Sequence, residues 1–259
     1  MSAPSETTLQ VDGGSCRVWE KGAGEPLGFL AGLGGLTKWP PLLDLLAQRR
    51  RVIVPSLPGY PGGPPQDKLD CQLDWAIAVQ ELLAGAGLEG ADLIGVSTGG
   101  ALAAEVAAIW RTMVKRLVLI APFGLFDVSQ PVLDIFALQP GTLADMVCAH
   151  PAAFRDLAEA PEGADEVEWH IAQVKAGEAA ARMLWPLGDT RLAKRLPRIT
   201  QATLIVWGSE DKVIPPDYAQ RFAAGIRGET KVCIIPGAGH LADLDAPGPV
   251  SEAVLDFLA

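Results

Sequence analysis

Cysteine is scarce in this chain: Cys16, Cys71, Cys148 and Cys233 are the four in 259 residues, and no two form a Cys-x-x-Cys pair. That spacing argues against a zinc ribbon and a compact disulfide framework, and it leaves reduced, mostly buried thiols as the expectation. Basic residues are also in deficit, 21 against 31 acidic, for a net charge of −10. Such a field repels phosphate backbones and anionic lipid, so neither nucleic acid nor a membrane is an expected partner. No apolar run is long enough to span a bilayer, and the start, Met1-Ser-Ala-Pro-Ser-Glu-Thr-Thr8, lacks the basic-then-apolar order of a leader. A soluble cytoplasmic protein is the expectation. There is no Gly-Lys-Ser/Thr loop for a nucleotide and no paired histidine or cysteine spacing for a metal. Gly85-Ala-Gly-Leu-Glu-Gly90 has the glycine spacing of a dinucleotide fingerprint, but it follows a helical pattern and precedes a strand, which reverses the required order. It reads as a turn, and no cofactor is expected.

What the chain does have is an alternation of strand and helix patterns. With 49% hydrophobic and 20% charged residues it is of the ordinary globular class, and its length suits one α/β domain with a large core. Short strands are expected at 8–11, 16–19 and 27–30, the first two as a hairpin, followed by apolar strand runs at 51–54, 92–96, 116–120, 203–207 and 231–235. Helices are expected at 39–48, 69–83, 98–110, 215–226 and 249–258. In the second of these, Leu69, Leu73, Ala76, Ile77, Gln80 and Leu83 recur at spacings of three and four and form the expected buried face. The basic run Arg49-Arg-Arg51 is expected to close the first helix, where cations suit the dipole. Together these patterns give an α/β fold with a doubly wound, mostly parallel eight-stranded sheet.

One interval breaks the rhythm. From 123 to 189 there are no clear strands, only helix-like pieces at 132–137, 142–148, 153–158 and 165–185. An insertion this long between two strands is expected to be a helical cap over a site, which divides the chain into a core of 1–122 and 190–259 and a cap of 123–189. The section 151–189 carries eight acidic and three basic residues, half of the net negative charge, as a solvated helix face would.

The chemistry-bearing stretch is Gly95-Val-Ser97-Thr-Gly99, which ends a strand run and opens a helix run. A sharp strand-to-helix turn of this kind lifts a serine Oγ above the sheet, and its small neighbours let the two backbones approach. A serine hydroxyl needs a base, and the base needs an orienting group. Of three histidines, His150 and His170 fall in the insertion, whereas His240 lies in a turn just past the last strand run. The carboxyl ends of parallel strands share one crevice, so His240 is the base that topology brings toward Ser97. By the same rule Glu210 or Asp211, in the turn after the strand at 203–207, supplies the carboxylate for the imidazole.

From the strand at Leu27 to the last helix, the chain resembles the α/β-hydrolase fold enzymes. The order nucleophile, acid, base is matched by Ser97, Asp211 and His240, and the family pattern Gly-x-x-Asp-x-x-x-Pro, framed here by Gly208 and Pro215, selects Asp211 over Glu210. The resemblance also implies an oxyanion hole made by the backbone N–H of Thr98 and, from the loop Leu30-Ala-Gly-Leu-Gly-Gly-Leu36, that of Leu33. Ala31 stands where many members have histidine, and Ser56 where relatives often carry aspartate before Pro-Gly. Serine at the elbow sets the chain apart from haloalkane dehalogenases and epoxide hydrolases, which use aspartate there. The resemblance implies a serine esterase acting on a small apolar ester through an acyl-enzyme. Carbon–carbon bond hydrolysis of a diketone-like ring-cleavage product is the alternative, followed by lactonase or perhydrolase activity; a non-catalytic ligand-binding homologue is the alternative of another class. Phe123, Trp169 and Trp185 are the expected pocket residues, with Phe126, Phe136 and Leu184 as further apolar candidates.

Overall fold

The computed structural model describes residues 3–139, 141–160, 163–185, 187 and 189–259. Eight strands form one sheet: β1 (Ser5–Val11), β2 (Gly14–Lys21), β3 (Pro26–Leu30), β4 (Arg51–Pro55), β5 (Ala91–Val96), β6 (Val114–Ile120), β7 (Thr203–Gly208) and β8 (Thr230–Ile235). Their order is β1-β2-β4-β3-β5-β6-β7-β8, and only β2 runs against its neighbours. Every residue of β5 and β7 is buried, as suits apolar strands covered on both faces. The edge strands β1 and β8 are mostly exposed or half-buried along their length.

Around the sheet lie α1 (Pro41–Leu46), α2 (Gln72–Gly85), α3 (Ser97–Ile109), α7 (Tyr218–Gly225), α8 (Ala242–Asp245) and α9 (Pro247–Phe257), while α4 (Leu143–Val147), α5 (Ala152–Ala158) and α6 (Glu166–Leu184) belong to the stretch between β6 and β7. No helix among the described residues is long and apolar enough to cross a membrane.

Three local expectations are corrected. The buried face of α2 is Trp75, Ala76, Val79, Leu82 and Leu83, whereas Leu73 and Ile77 are exposed. Apolar residues lie nearly all round this helix, so spacing alone selects no face. The stretch 132–137 is not helical, because the Asp134 carboxylate accepts the N–H groups of Phe136 and Ala137 and closes a local turn instead. The basic run does not cap α1 as a unit: α1 ends at Leu46, and Arg51 already begins β4. Arg50 is buried in an ion pair with Asp92, which Arg116 joins from β6 at 2.8 Å.

The insertion is tied to the rest of the chain along several edges. Thr37 Oγ1 donates to the Leu157 carbonyl, Gln72 Nε2 to that of Met183, and Leu241 N–H to that of Val147 at 2.8 Å. Arg195, just beyond it, makes a two-pronged bond at 2.5 Å to the buried Glu105 of α3, which marks the return to the core.

Candidate active site

The strand order reverses at β3, which has β4 on one side and β5 on the other, and the crevice of an open α/β sheet forms at such a point. The pairing of β3 with β5 ends at Leu30 opposite Gly95, so the loop after β3 and the turn after β5 emerge side by side. A Cβ on Gly32 would stand 3.3 Å from the Ser97 Cβ.

Ser97 occupies the turn between β5 and α3 at φ +52°, a left-handed conformation that costs a residue with a side chain about 1–2 kcal/mol. The turn is this tight because Gly99 lets α3 approach β3: a Cβ there would collide with the carbonyls of Leu30 and Ala31. Gly208 plays the same part at the end of β7, where a Cβ would strike the carbonyls of Ala238 and Gly239. The loops bearing Asp211 and His240 are thereby pressed together.

Ser97, Asp211 and His240, the serine more than a hundred residues from the other two in sequence, form one hydrogen-bonded line. Ser97 Oγ lies 2.8 Å from His240 Nε2, and His240 Nδ1 lies 2.9 Å from Asp211 Oδ2. The other carboxylate oxygen of Asp211 accepts the N–H groups of Val213 at 2.8 Å and Ile214 at 2.9 Å, which fixes its plane. Glu210, the neighbouring candidate, is exposed. All three members of the line are buried, Ser97 at 0% and His240 at 1% exposure. His150 and His170 are exposed in the insertion.

Among the described residues, the N–H groups of Leu33 and Thr98 are not engaged in hydrogen bonds. Thr98 is in the first turn of α3, where backbone donors have no partner within the helix and the dipole favours negative charge. Tyr60, which no spacing singled out, lies buried beside them with its hydroxyl 2.9 Å from Thr98 Oγ1. Burial pushes its phenol up to about 12.

Two acidic residues that sequence reasoning passed over sit just after His240. Asp243 is 5% exposed and its Oδ1 has no partner among the described residues. Burial pushes its carboxyl up to about 7; the nearby His240 pulls it down and Asp245 pushes it further up. Asp245 accepts the N–H groups of Gly239 at 2.7 Å, Ala149 at 2.8 Å and His150 at 2.8 Å. Cys148 next to this pair is buried, and its thiol is held well above its ordinary value by burial and by the two carboxylates.

Of the expected pocket residues, Phe123 alone reaches the serine and histidine. Its ring meets that of His240 edge-on at 5.3 Å, and its N–H donates to the Ser97 carbonyl at 3.2 Å. Trp169 is partly buried and uses its indole N–H to bind the Ala158 carbonyl at 3.1 Å, so it joins α6 to the end of α5. Trp185 is 72% exposed in a surface hollow with Leu69, Asp70, Ala181 and Arg182, apart from the buried serine. Neither hydrophobicity nor a place in the insertion distinguishes a pocket wall from a helix contact or an outer face. A cavity of about 20 Å³ does border the Leu33 loop, walled by Phe154, Leu157 and Ala158 of the insertion. Gln173 also lines it, with its Nε2 buried and unpartnered among the described residues.

The comparisons with known proteins agree with this architecture. A model of the alpha/beta hydrolase family matches residues 29–253. The chain is 28% identical over 267 residues to a 2-hydroxymuconate semialdehyde hydrolase of Pseudomonas sp. (strain CF600), covering 93% of this chain and 89% of that protein. It is 29% identical over 272 residues to the dihydrolipoyllysine-residue acetyltransferase component of an acetoin cleaving system of Pseudomonas putida, covering 98% and 70%. Among solved structures, a bacterial membrane phospholipase A superimposes with a TM-score of 0.80 at 23% identity, covering 99% of this chain and 86% of that one. Naproxen esterase from Bacillus subtilis gives 0.76 at 18% identity, covering 99% and 92%. These superpositions speak for the fold, and the family model covers most of the sequence. The chain belongs to the alpha/beta hydrolase family.

Proposed function

We propose that this chain is a serine hydrolase that cleaves small, neutral carboxylic esters, with Ser97 as nucleophile, His240 as base and Asp211 as its orienting acid. The observation that carries the reading is the unbroken line from Ser97 Oγ through the imidazole to Asp211 Oδ2. Ser97 Oγ attacks the ester carbonyl as its proton passes to His240 Nε2, and Asp211 stabilises the resulting imidazolium. The carbonyl oxygen, now an anion, takes hydrogen bonds from the N–H groups of Leu33 and Thr98 at the positive end of α3. His240 returns the proton to the departing alcohol, then activates a water that frees the acid and restores the serine.

The preference for a neutral substrate comes from the charges around the imidazole. Asp211 contacts it and Asp245 binds the N–H of Gly239 just before it, while the buried cation Arg50 is spent on Asp92 at the opposite end of β5. A carboxylate on the substrate would meet acids there, whereas an ester with an apolar body suits Phe123 and the wall of Phe154, Leu157 and Ala158. The stretch 123–189 serves as the cap, and it shifts to admit substrate, since a cavity of about 20 Å³ holds no more than a water. The acidic balance of the chain supports an enzyme acting on small molecules in the cytoplasm, away from nucleic acid and membrane surfaces.

A second reading is carbon–carbon bond hydrolysis of a diketone-like ring-cleavage product, favoured by the name of the semialdehyde hydrolase among the relatives. One experiment separates the two. Purified protein is given a short-chain p-nitrophenyl ester and, in parallel, a vinylogous diketone, with Ser97→Ala as control. Faster turnover of the ester, lost in the variant, supports the proposal; turnover of the diketone alone establishes the second reading. An absence of turnover on both substrates together with an absence of fluorophosphonate labelling would defeat both.

A further inference from the structure

The two N–H groups assigned to the oxyanion come from different segments, Leu33 in the loop after β3 and Thr98 at the start of α3. Strand pairing stops at Leu30 and Gly95, three residues short of either donor, so something beyond the sheet must hold their separation. Ala31, next in the loop, has no polar side chain for the task.

Tyr60 bridges the gap. Its hydroxyl lies 2.9 Å from Thr98 Oγ1, and the Gly34 backbone faces the same oxygen. Its side chain packs against the loop, so that a Cβ on Gly35 would stand 3.0 Å from it. The segment carrying Tyr60 is itself anchored: Arg17 Nη2 donates to the Leu36 carbonyl at 2.6 Å and to the Pro61 carbonyl at 3.0 Å, which clamps the two loops to each other. The Tyr60 N–H is bound to the Leu57 carbonyl at 3.0 Å.

We propose that Tyr60 is a positioning residue for the oxyanion hole, its hydroxyl linking the α3 start to the Leu33 loop so that both backbone donors point at one oxygen. The inference rests on the hydrolase reading above. Burial keeps the phenol protonated, so it shares one hydrogen bond with the Thr98 hydroxyl in which either group can donate. A bond of this kind is made in the free enzyme and acts through the donors. Its loss therefore weakens binding of the tetrahedral oxyanion more than binding of the flat ester.

The test uses Tyr60→Phe, which keeps the ring on Gly35 and removes only the hydroxyl, with Thr98→Val and the double variant as companions. Fluorophosphonate titration first counts active sites, so that misfolded protein does not enter kcat. Tyr60→Phe is expected to lower kcat about tenfold with KM within about twofold, and to weaken a trifluoromethyl ketone, which forms a tetrahedral adduct, by a similar factor. The double variant is expected to lose no more than the worse single variant, because both remove the same link. An unchanged kcat per active site, equal losses in kcat and in substrate affinity, or independent losses in the double variant would each overturn the assignment. If wild-type protein is labelled at Ser97 and turns over ester while Tyr60→Phe behaves like it, only this inference falls. If the wild type does neither, the hydrolase reading falls first and takes this one with it.

Discussion

Asp243 offers the sharpest test of the burial argument. Its carboxyl is pushed from 3.8 to about 7 by burial, and its titratable neighbours are His240, Asp245 and Cys148. Between about pH 4 and pH 7 the folded chain holds a proton that the unfolded chain has released, so stability falls as pH rises through that window and is level above it. At about 1.4 kcal/mol for each pH unit, the span from 3.8 to about 7 is worth about 4 kcal/mol, of which about 3 is lost between about pH 5 and pH 8. Asp243→Asn has no proton to hold. It carries a constant cost for an amide at an unpartnered position, about 1–3 kcal/mol, but contributes no slope. Urea unfolding of both proteins at about pH 5 and pH 8 isolates the slope, provided the m-values agree. The variant is expected to gain about 3 kcal/mol relative to wild type on going to the higher pH. A difference between the two proteins that is the same at both pH values would refute the reasoning, because a carboxyl held neutral by burial cannot be indifferent to pH.

Three further outcomes are expected. Ser97→Gly and Ser97→Ala both abolish turnover, but the glycine variant is the more stable by about 1 kcal/mol in chemical unfolding, because at φ +52° it escapes the Cβ penalty. Asp211→Asn keeps an acceptor for Val213 and Ile214 yet turns an amide toward His240 Nδ1; the wrong tautomer follows and kcat falls by about 10³-fold to 10⁴-fold with little change in KM. In a thiol titration of folded protein with an aromatic disulfide, the exposed Cys71 reacts first; Cys16, pushed up to about 11 by burial, and the buried Cys148 react only on unfolding. Fast reaction of either buried thiol, Cys16 or Cys148, would contradict the packing around it.

Much of the sheet was legible because its strands are chemically plain. The runs in β5 and β7 are apolar at nearly every position, which only a strand covered on both faces requires, and glycines punctuate the turns between elements. Topology brought together Ser97, His240 and the pair Glu210 and Asp211, since each follows a different parallel strand, and the pattern framed by Gly208 and Pro215 chose Asp211 within the pair. The insertion was less legible, for a physical reason. Two of its helices are short, and the buried stripe of the long α6, Ala176, Ala179, Ala180, Met183 and Leu184, is mostly alanine, so Trp169 and Trp185 could not be sorted into wall and exterior by type. Asp134 shows the same limit locally: a side chain that bonds its own backbone competes with helix formation, and the competition is decided by two hydrogen bonds rather than by periodicity. The bridge through Tyr60 links three segments distant in sequence, and no spacing within any one of them announces it.

Asp245 binds Gly239, the residue before the imidazole, and with the same carboxylate Ala149 and His150 of the insertion. The histidine loop and that border of the insertion are therefore one mechanical part: a swing of this border would drag His240 off Ser97 and disarm the serine. An opening that leaves the proton relay intact starts at the far border, where α5 meets the Leu33 loop through Thr37 and α6 meets the start of α2 through Gln72. The molecule has a fixed jamb, and the jamb is the side that carries the base.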